Sequence, residues 1–137
     1  MKIVIDSNIF ISALLKDGKV REIILINVAN TFFFPETILE EIKEHKEEIL
    51  EKSGLSVEDF EDLISRLLNY VIIVPFGKIR MFEEEARQII GDIDKDDISF
   101  IAASLANDSC PIWSNDSHFK QQNKIQSLTT EELLAML

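Results

Sequence analysis

The chain has 137 residues, of which 46% are hydrophobic and 28% charged, so it is large enough to bury its own core, and we expect one domain over residues 1–137. Its formal net charge of −11 argues against broad, nonspecific nucleic-acid binding, because binding to phosphate normally uses a basic surface. A single cysteine, Cys110, excludes an internal disulfide framework. No apolar run approaches the roughly 20 residues of a membrane span and no signal region precedes the first predicted strand, so we expect a cytoplasmic protein.

The first third of the chain alternates short apolar runs with stretches of helical spacing. A buried strand is predicted at residues 2–5, ending at Asp6, followed by helices at 9–15 and 20–28. Residues 31–34 favour a second strand, and Pro35 is predicted to begin the next helix. One long helix is predicted from Glu36 to Lys52, where apolar residues recur at helical intervals.

The remainder continues the same alternation. Ser56 with Asp59, and Thr129 with Glu132, are typical of capping boxes that begin helices. The predicted elements are helices at 56–69, 82–90, 96 or 97 to about 107 and 129 onward, and strands at 71–74, 111–113 and 125–128. This order predicts an α/β fold, a three-layer α/β/α sandwich with a central, mainly parallel sheet of four or five strands.

Four acidic residues stand where a predicted strand ends or a predicted helix begins: Asp6, Glu41, Asp97 and Asp116. A parallel sheet brings its strand ends and the following first helical turns to one edge, so carboxylates remote in sequence can converge there. Converging carboxylates repel one another unless a cation lies among them, and Mg²⁺ characteristically binds a few carboxylates, water and substrate phosphate. The sequence therefore predicts a metal site and indicates an enzyme that cleaves phosphodiesters.

The order of these motifs resembles the PIN domain, a family of small metal-dependent ribonucleases that includes the VapC toxins. The matching motifs are Asp6-Ser7-Asn8 after the first strand, Glu41 on the helix after the second, Asp97 in DISFIAAS and Asp116 in Ser-Asn-Asp. The resemblance spans almost the whole chain. It implies that Asp6, Asp97, Asp116 and Glu41 are catalytic and hold Mg²⁺ or Mn²⁺, that RNA is the substrate, and that the protein forms a homodimer.

Each of these acids also has an ordinary structural interpretation. Asp6 could cap a helix, and Asp97 could be a first-turn acid that the helix dipole favours. Glu41 could be a solvated helix residue like its neighbour Glu40, and Asp116 could be a turn residue. The metal-site interpretation rests on all four acids occurring together.

Several other residues are candidates for accessory roles. Asn8 could bond the loop that positions Asp6 or Asp116, and Ser114 and Asn115 could orient water or phosphate at the metal. Asp94 could be an accessory ligand or a solvent-facing loop acid. His118 could contact phosphate, although a surface role is favoured. Five basic residues near the predicted site edge could meet an RNA backbone or be scattered surface residues: Lys16, Lys19, Arg21, Lys120 and Lys124.

The leading hypothesis is a metal-dependent endoribonuclease, acting either as the toxin of a toxin–antitoxin pair or in RNA processing. The acidic surface is compatible with a basic, antitoxin-like protein partner. One alternative is a catalytically inactive PIN-like assembly or RNA-binding module. A receiver-type Mg²⁺-binding domain ranks lower, because such a site normally has a lysine after the last strand, where this chain has residues 114–116.

Overall fold

A computed structural model describes residues 1–26, 29–94 and 97–137. Within them, five strands form one sheet in the order β3-β2-β1-β4-β5, and every neighbouring pair is parallel. The strands are β1 (Lys2–Ile5), β2 (Thr31–Pro35), β3 (Val71–Val74), β4 (Ile112–Trp113) and β5 (Ser127–Leu128). This confirms the predicted α/β fold with its central parallel sheet.

The helices cover the sheet and follow the predicted order with some changes of boundary. They are α1 (Ser7–Leu15), α2 (Lys19–Ile26), α3 (Ile38–Glu44), α4 (Lys46–Ser53), α5 (Val57–Leu68), α6 (Phe76–Ile90), α7 (Ile98–Leu105) and α8 (Thr130–Met136), with a 3₁₀ helix at Ser117–Gln121. Residues 27–28, which end the second predicted helix, lie outside the described residues, as does the alternative start of α7 at residue 96. No helix in the described part of the chain is both long and apolar enough to cross a membrane.

Three local predictions were wrong: those at His45, at Pro35 and at the start of α6. The single helix over 36–52 is two helices, because His45 leaves helical torsion angles (φ −100°, ψ 10°). Pro35 ends β2 instead of beginning a helix, in register with Val74.

Helix α6 begins six residues before its predicted start. A contact distant in sequence supports this start, because the Glu36 carboxylate accepts a hydrogen bond from the Phe76 N–H at 2.9 Å. This contact satisfies one of the backbone donors that a helix start leaves unpaired. Local sequence at residues 76–81 carries no sign of it.

The core lies on both faces of the sheet. Ile3, Val4 and Ile5 of β1 are fully buried, as expected for a central strand of a parallel sheet. Phe34 of β2 stacks on Phe10 of α1 with ring centroids 4.5 Å apart. Each such side chain contributes roughly 1.5–3 kcal/mol to folding when fully buried, so the centre of the sheet is a rigid platform.

The strand order creates a switch point between β1 and β4. The chain runs from β1 outward through β2 to β3, then returns to place β4 and β5 on the other side of β1. Ligands of open α/β sheets bind beyond the carboxyl ends of the strands at such a point. A hydrogen bond of 3.2 Å from the Asp6 N–H to the Trp113 carbonyl ties the two strand ends together there.

Candidate metal centre

Asp6 lies immediately beyond β1 and is nearly fully buried, with 3% of its surface exposed. Its Oδ1 accepts the Ile9 N–H at 2.8 Å, which caps α1, and its Oδ2 accepts a hydrogen bond from the Ser114 hydroxyl. Burial raises the pKa of Asp6 to about 6, even though both hydrogen bonds favour the charged form. The capping role is therefore real, and it holds the carboxylate firmly at the switch point.

Ser114 connects the ends of β1 and β4. Its fully buried hydroxyl donates to Asp6 and accepts the Asp116 N–H at 3.0 Å. The Asp116 carboxylate in turn accepts the His118 N–H at 3.0 Å and caps the 3₁₀ helix. One hydroxyl thus fixes the backbone that carries Asp116 relative to the carboxylate of Asp6.

Asp97 stands at the start of α7 but does not cap it with its side chain. Its Oδ2 is sheltered from solvent and has no hydrogen-bond partner, while 14% of the side chain is exposed. Burial, followed by the neighbouring charge of Asp94, raises the pKa of Asp97 to about 7, and the charges of Asp116 and Asp6 act in the same direction. Asp97 is therefore held where its charge is costly unless a cation is close.

His118 lies among the acids instead of on the open surface. Its Nδ1 is 2.8 Å from Asp94 Oδ2, 3.4 Å from Asp116 Oδ1 and 3.5 Å from Asp97 Oδ2. The ring nitrogen is sheltered from solvent, although 41% of the side chain is exposed. In the sequence, the indication of this position was that His118 follows Asp116 by two residues, but a surface role was favoured.

The other predicted site residues lie on α1, on α3 and after β4. Glu41 is half-buried in the first turn of α3, on the helix that follows β2. Asn8 is exposed on α1, and its backbone N–H, but no side-chain atom, contributes a bond to Asp6. The Asn115 Oδ1 accepts the Thr130 N–H at 2.8 Å and so supports the start of α8.

The side-chain atoms that could bind a metal and that lie closest to one another are carboxylate oxygens and an imidazole nitrogen. Among residues 1–26, 29–94 and 97–137, one group has ligand atoms that all lie within 4.8 Å, and it consists of Asp94, Asp97 and His118. Asp6, Asp116 and Glu41 are outside this group.

The donor chemistry fits a divalent cation. Hard cations bind carboxylate oxygens, and a cation would satisfy the unpaired oxygen of Asp97. It would also offset the repulsion that raises the pKa of this residue, to which Asp94, Asp116 and Asp6 contribute. The residues present therefore fit a divalent cation.

Fold and site together define a small α/β domain with an acidic centre at the switch point of a parallel sheet. A sequence profile described as PIN domain matches residues 4–137. The chain therefore belongs to the PIN domain family, as the motif order in the sequence indicated. No curated protein matches this sequence significantly.

The fold also agrees with a solved structure. One chain of the crystal structure of VapBC2 from Rickettsia felis, bound to a DNA fragment from their promoter, superimposes with a TM-score of 0.70 at 18% identity. The match covers 94% of this chain and 98% of that chain. At this identity the similarity concerns the fold.

Proposed function

We propose that this protein is a metal-dependent endoribonuclease that hydrolyses RNA phosphodiester bonds. The observation that carries the proposal is the convergence of Asp6, Asp97 and Asp116 at the switch point of a PIN domain, with one buried carboxylate oxygen of Asp97 unpaired. Repulsion between the acids at this edge raises the free energy of the folded state unless a counter-charge is present. Such an arrangement supports a catalytic metal site more readily than a purely structural one.

In this proposal Asp97 and Asp116 hold Mg²⁺ or Mn²⁺ with Asp6, and Glu41 assists from α3. A divalent cation bound there would polarise the phosphoryl oxygen and lower the pKa of a water molecule. Asp97 must first release its proton, because its pKa is about 7. Ser114 keeps Asp6 and Asp116 in position through its two hydrogen bonds.

The path proposed for the RNA strand is a cleft whose lining includes residues close in the chain to Asp94 and His118. It has a volume of about 640 Å³ and is lined by Gln88, Ile93, Lys120, Asn123 and Lys124, among others. Ile93 precedes Asp94 directly in the chain. The charged residues of the lining are Lys120, Lys124 and Glu85, and Lys120 is paired with Glu132 at 2.7 Å, so the cleft has at most a small positive charge, supplied mainly by Lys124. We place the nucleotides next to the scissile phosphate here.

The biological setting proposed is that of a toxin with a basic, antitoxin-like protein partner. A solved structure that shares this fold is a VapBC complex, and the excess of 25 acidic over 14 basic side chains favours a basic partner. We also propose a homodimer, which light scattering of the purified protein tests.

The experiment is cleavage of a mixed pool of structured and single-stranded RNAs with Mn²⁺, Mg²⁺ or EDTA. We expect the RNA to be cut only when Mn²⁺ or Mg²⁺ is present. The cleavage rate should fall by about 100-fold or more in three variants: Asp6→Asn, Asp97→Asn and Asp116→Asn. Asparagine caps helices as well as aspartate does, so Asp6→Asn removes the charge and keeps the cap. Asp108→Asn, at an exposed acid paired with Lys2, is the matched control and should cut normally.

Unimpaired cutting by all three site variants would contradict the assignment of the site. A folded protein that cuts no RNA with either metal would instead favour an inactive assembly module.

A further inference from the structure

The position of His118 differs from what a purely carboxylate site would contain. Its Nδ1 lies within 3.5 Å of carboxylate oxygens from three separate parts of the chain: Asp94 before α7, Asp97 at the start of α7 and Asp116 after β4. No one of these oxygens lies in line for a hydrogen bond with the ring nitrogen, which is sheltered from solvent. The nitrogen therefore faces the centre of the cluster without a directional partner.

Two contacts fix the backbone that carries the His118 ring. The backbone N–H of His118 donates to Asp116 at 3.0 Å, which sets the start of the 3₁₀ helix. The next residue, Phe119, is buried and packs edge-to-face on Phe100 of α7, with ring centroids 6.1 Å apart at 87°. The helix that carries Asp97 and the segment that carries His118 are therefore held together by the core.

We infer that His118 is a direct nitrogen ligand of the metal, bound through Nδ1 beside Asp94 and Asp97, and that it shifts the site's preference from Mg²⁺ toward Mn²⁺ and other transition metals. This inference rests on the proposed metal site, with which it shares Asp97, and adds Asp94 and His118 to its ligands. Imidazole suits transition metals, whereas carboxylate and water suit Mg²⁺. The ligand atoms of the three residues lie within 4.8 Å of one another, a span that one ion can bridge.

The competing interpretation is that His118 is a protonated counter-ion that only neutralises the acids. The two interpretations differ in what touches Nδ1, which is a metal in the first and a proton in the second. The chain contains two histidines, His45 and His118. His45 is exposed on the turn between α3 and α4, where its Nδ1 lies 3.5 Å from Glu48, and it serves as the control.

The test is pulsed electron paramagnetic resonance on the full chain loaded with Mn²⁺, which detects the coupling of an imidazole ¹⁴N bound to the ion. We expect this coupling in the native protein and in His45→Asn, and its loss in His118→Asn. Titration calorimetry with Mn²⁺ and Mg²⁺ should show the ratio of the two affinities falling by about 10-fold or more in His118→Asn. Circular dichroism checks that each variant is folded.

The outcomes separate this inference from the proposed nuclease activity. Bound Mn²⁺ without ¹⁴N coupling would overturn the role of His118, and RNA cleavage by that protein would leave the proposed function intact. Coupling in a protein that cuts no RNA would leave His118 as a ligand and remove the nuclease proposal. No binding of Mn²⁺ would overturn the role of His118, and no binding of either Mn²⁺ or Mg²⁺ would overturn both.

Discussion

Replacing Asp97 by asparagine should stabilise the metal-free protein. The pKa of Asp97 is about 7, where an ordinary aspartate has about 4, so between these values the folded state binds more protons than the unfolded state. The stability of the metal-free protein therefore falls as pH rises through this window, and the full loss is reached above pH 7. Asparagine has no charge to bury, and no side-chain cap is lost because Asp97 makes none.

The size of the stabilisation follows from the difference between the pKa of Asp97 in the folded protein and that of an ordinary aspartate. A difference of about three pKa units, at ~1.4 kcal/mol each, sets an upper limit of about 4 kcal/mol. Water reaches part of the site and screens the neighbouring charges, so we expect about half of this limit, ~2 kcal/mol in favour of Asp97→Asn at pH 8. At pH 4 most of the difference should disappear, because Asp97 is then largely protonated in the folded state.

The assay is urea unfolding in EDTA at pH 4 and pH 8, with native protein, Asp97→Asn and Asp108→Asn. Asp108 is an exposed acid whose pKa is lowered by its hydrogen bond to Lys2, so its replacement should give no gain at pH 8. Saturating Mn²⁺ should reverse the order of the native protein and Asp97→Asn. If Asp97→Asn is the less stable protein at pH 8, or if its difference from the native protein is the same at both pH values, the reasoning about the buried charge is wrong.

Three further predictions concern the centre and the core around it. Ser114→Ala should lower the free energy of unfolding by about 1–3 kcal/mol, because buried Asp6 loses a donor and the Asp116 N–H loses an acceptor; an unchanged urea midpoint would contradict this. The affinity for Mn²⁺, measured by calorimetry, should rise from pH 5 to pH 8, because the carboxyl groups of Asp6 and Asp97 must lose their protons to bind the ion. Their pKa values are about 6 and about 7. An affinity that does not change with pH would speak against both residues as ligands. Phe34→Ala should cost about 3–5 kcal/mol in thermal or urea unfolding, because Phe34 is fully buried against Phe10, and a loss under 1 kcal/mol would mean that the core can collapse around the gap.

The sheet was predictable because its strands are short, apolar and separated by helical stretches. Strand β3 was predicted with its observed bounds, and the capping box of Thr129 and Glu132 was confirmed at the start of α8. The errors lie where local sequence gives no indication of the structure. The bond from Phe76 to Glu36 spans 40 residues, and the spacing of Ile42 and Ile49 fits a continuous helix although the chain breaks at His45.

The candidate site was predictable at the level of which acids follow a strand or begin a helix. Asp6, Asp97 and Asp116 were selected on that basis, and their mutual effects on pKa place them in one neighbourhood. Their meeting point depends on the order of the strands, which brings β4 beside β1, and a single sequence does not reveal this order. The contact of His118 with three carboxylates required the same information, and the role of Glu41 stays a prediction.

The most direct test of the central claim is a crystal of the protein grown with Mn²⁺ and measured at a wavelength where manganese scatters anomalously. The claim predicts an anomalous peak at the carboxyl ends of β1 and β4, within ligand distance of Asp97 and Asp116. Full-occupancy manganese at another place on the surface, with this centre empty at pH 8, would contradict it.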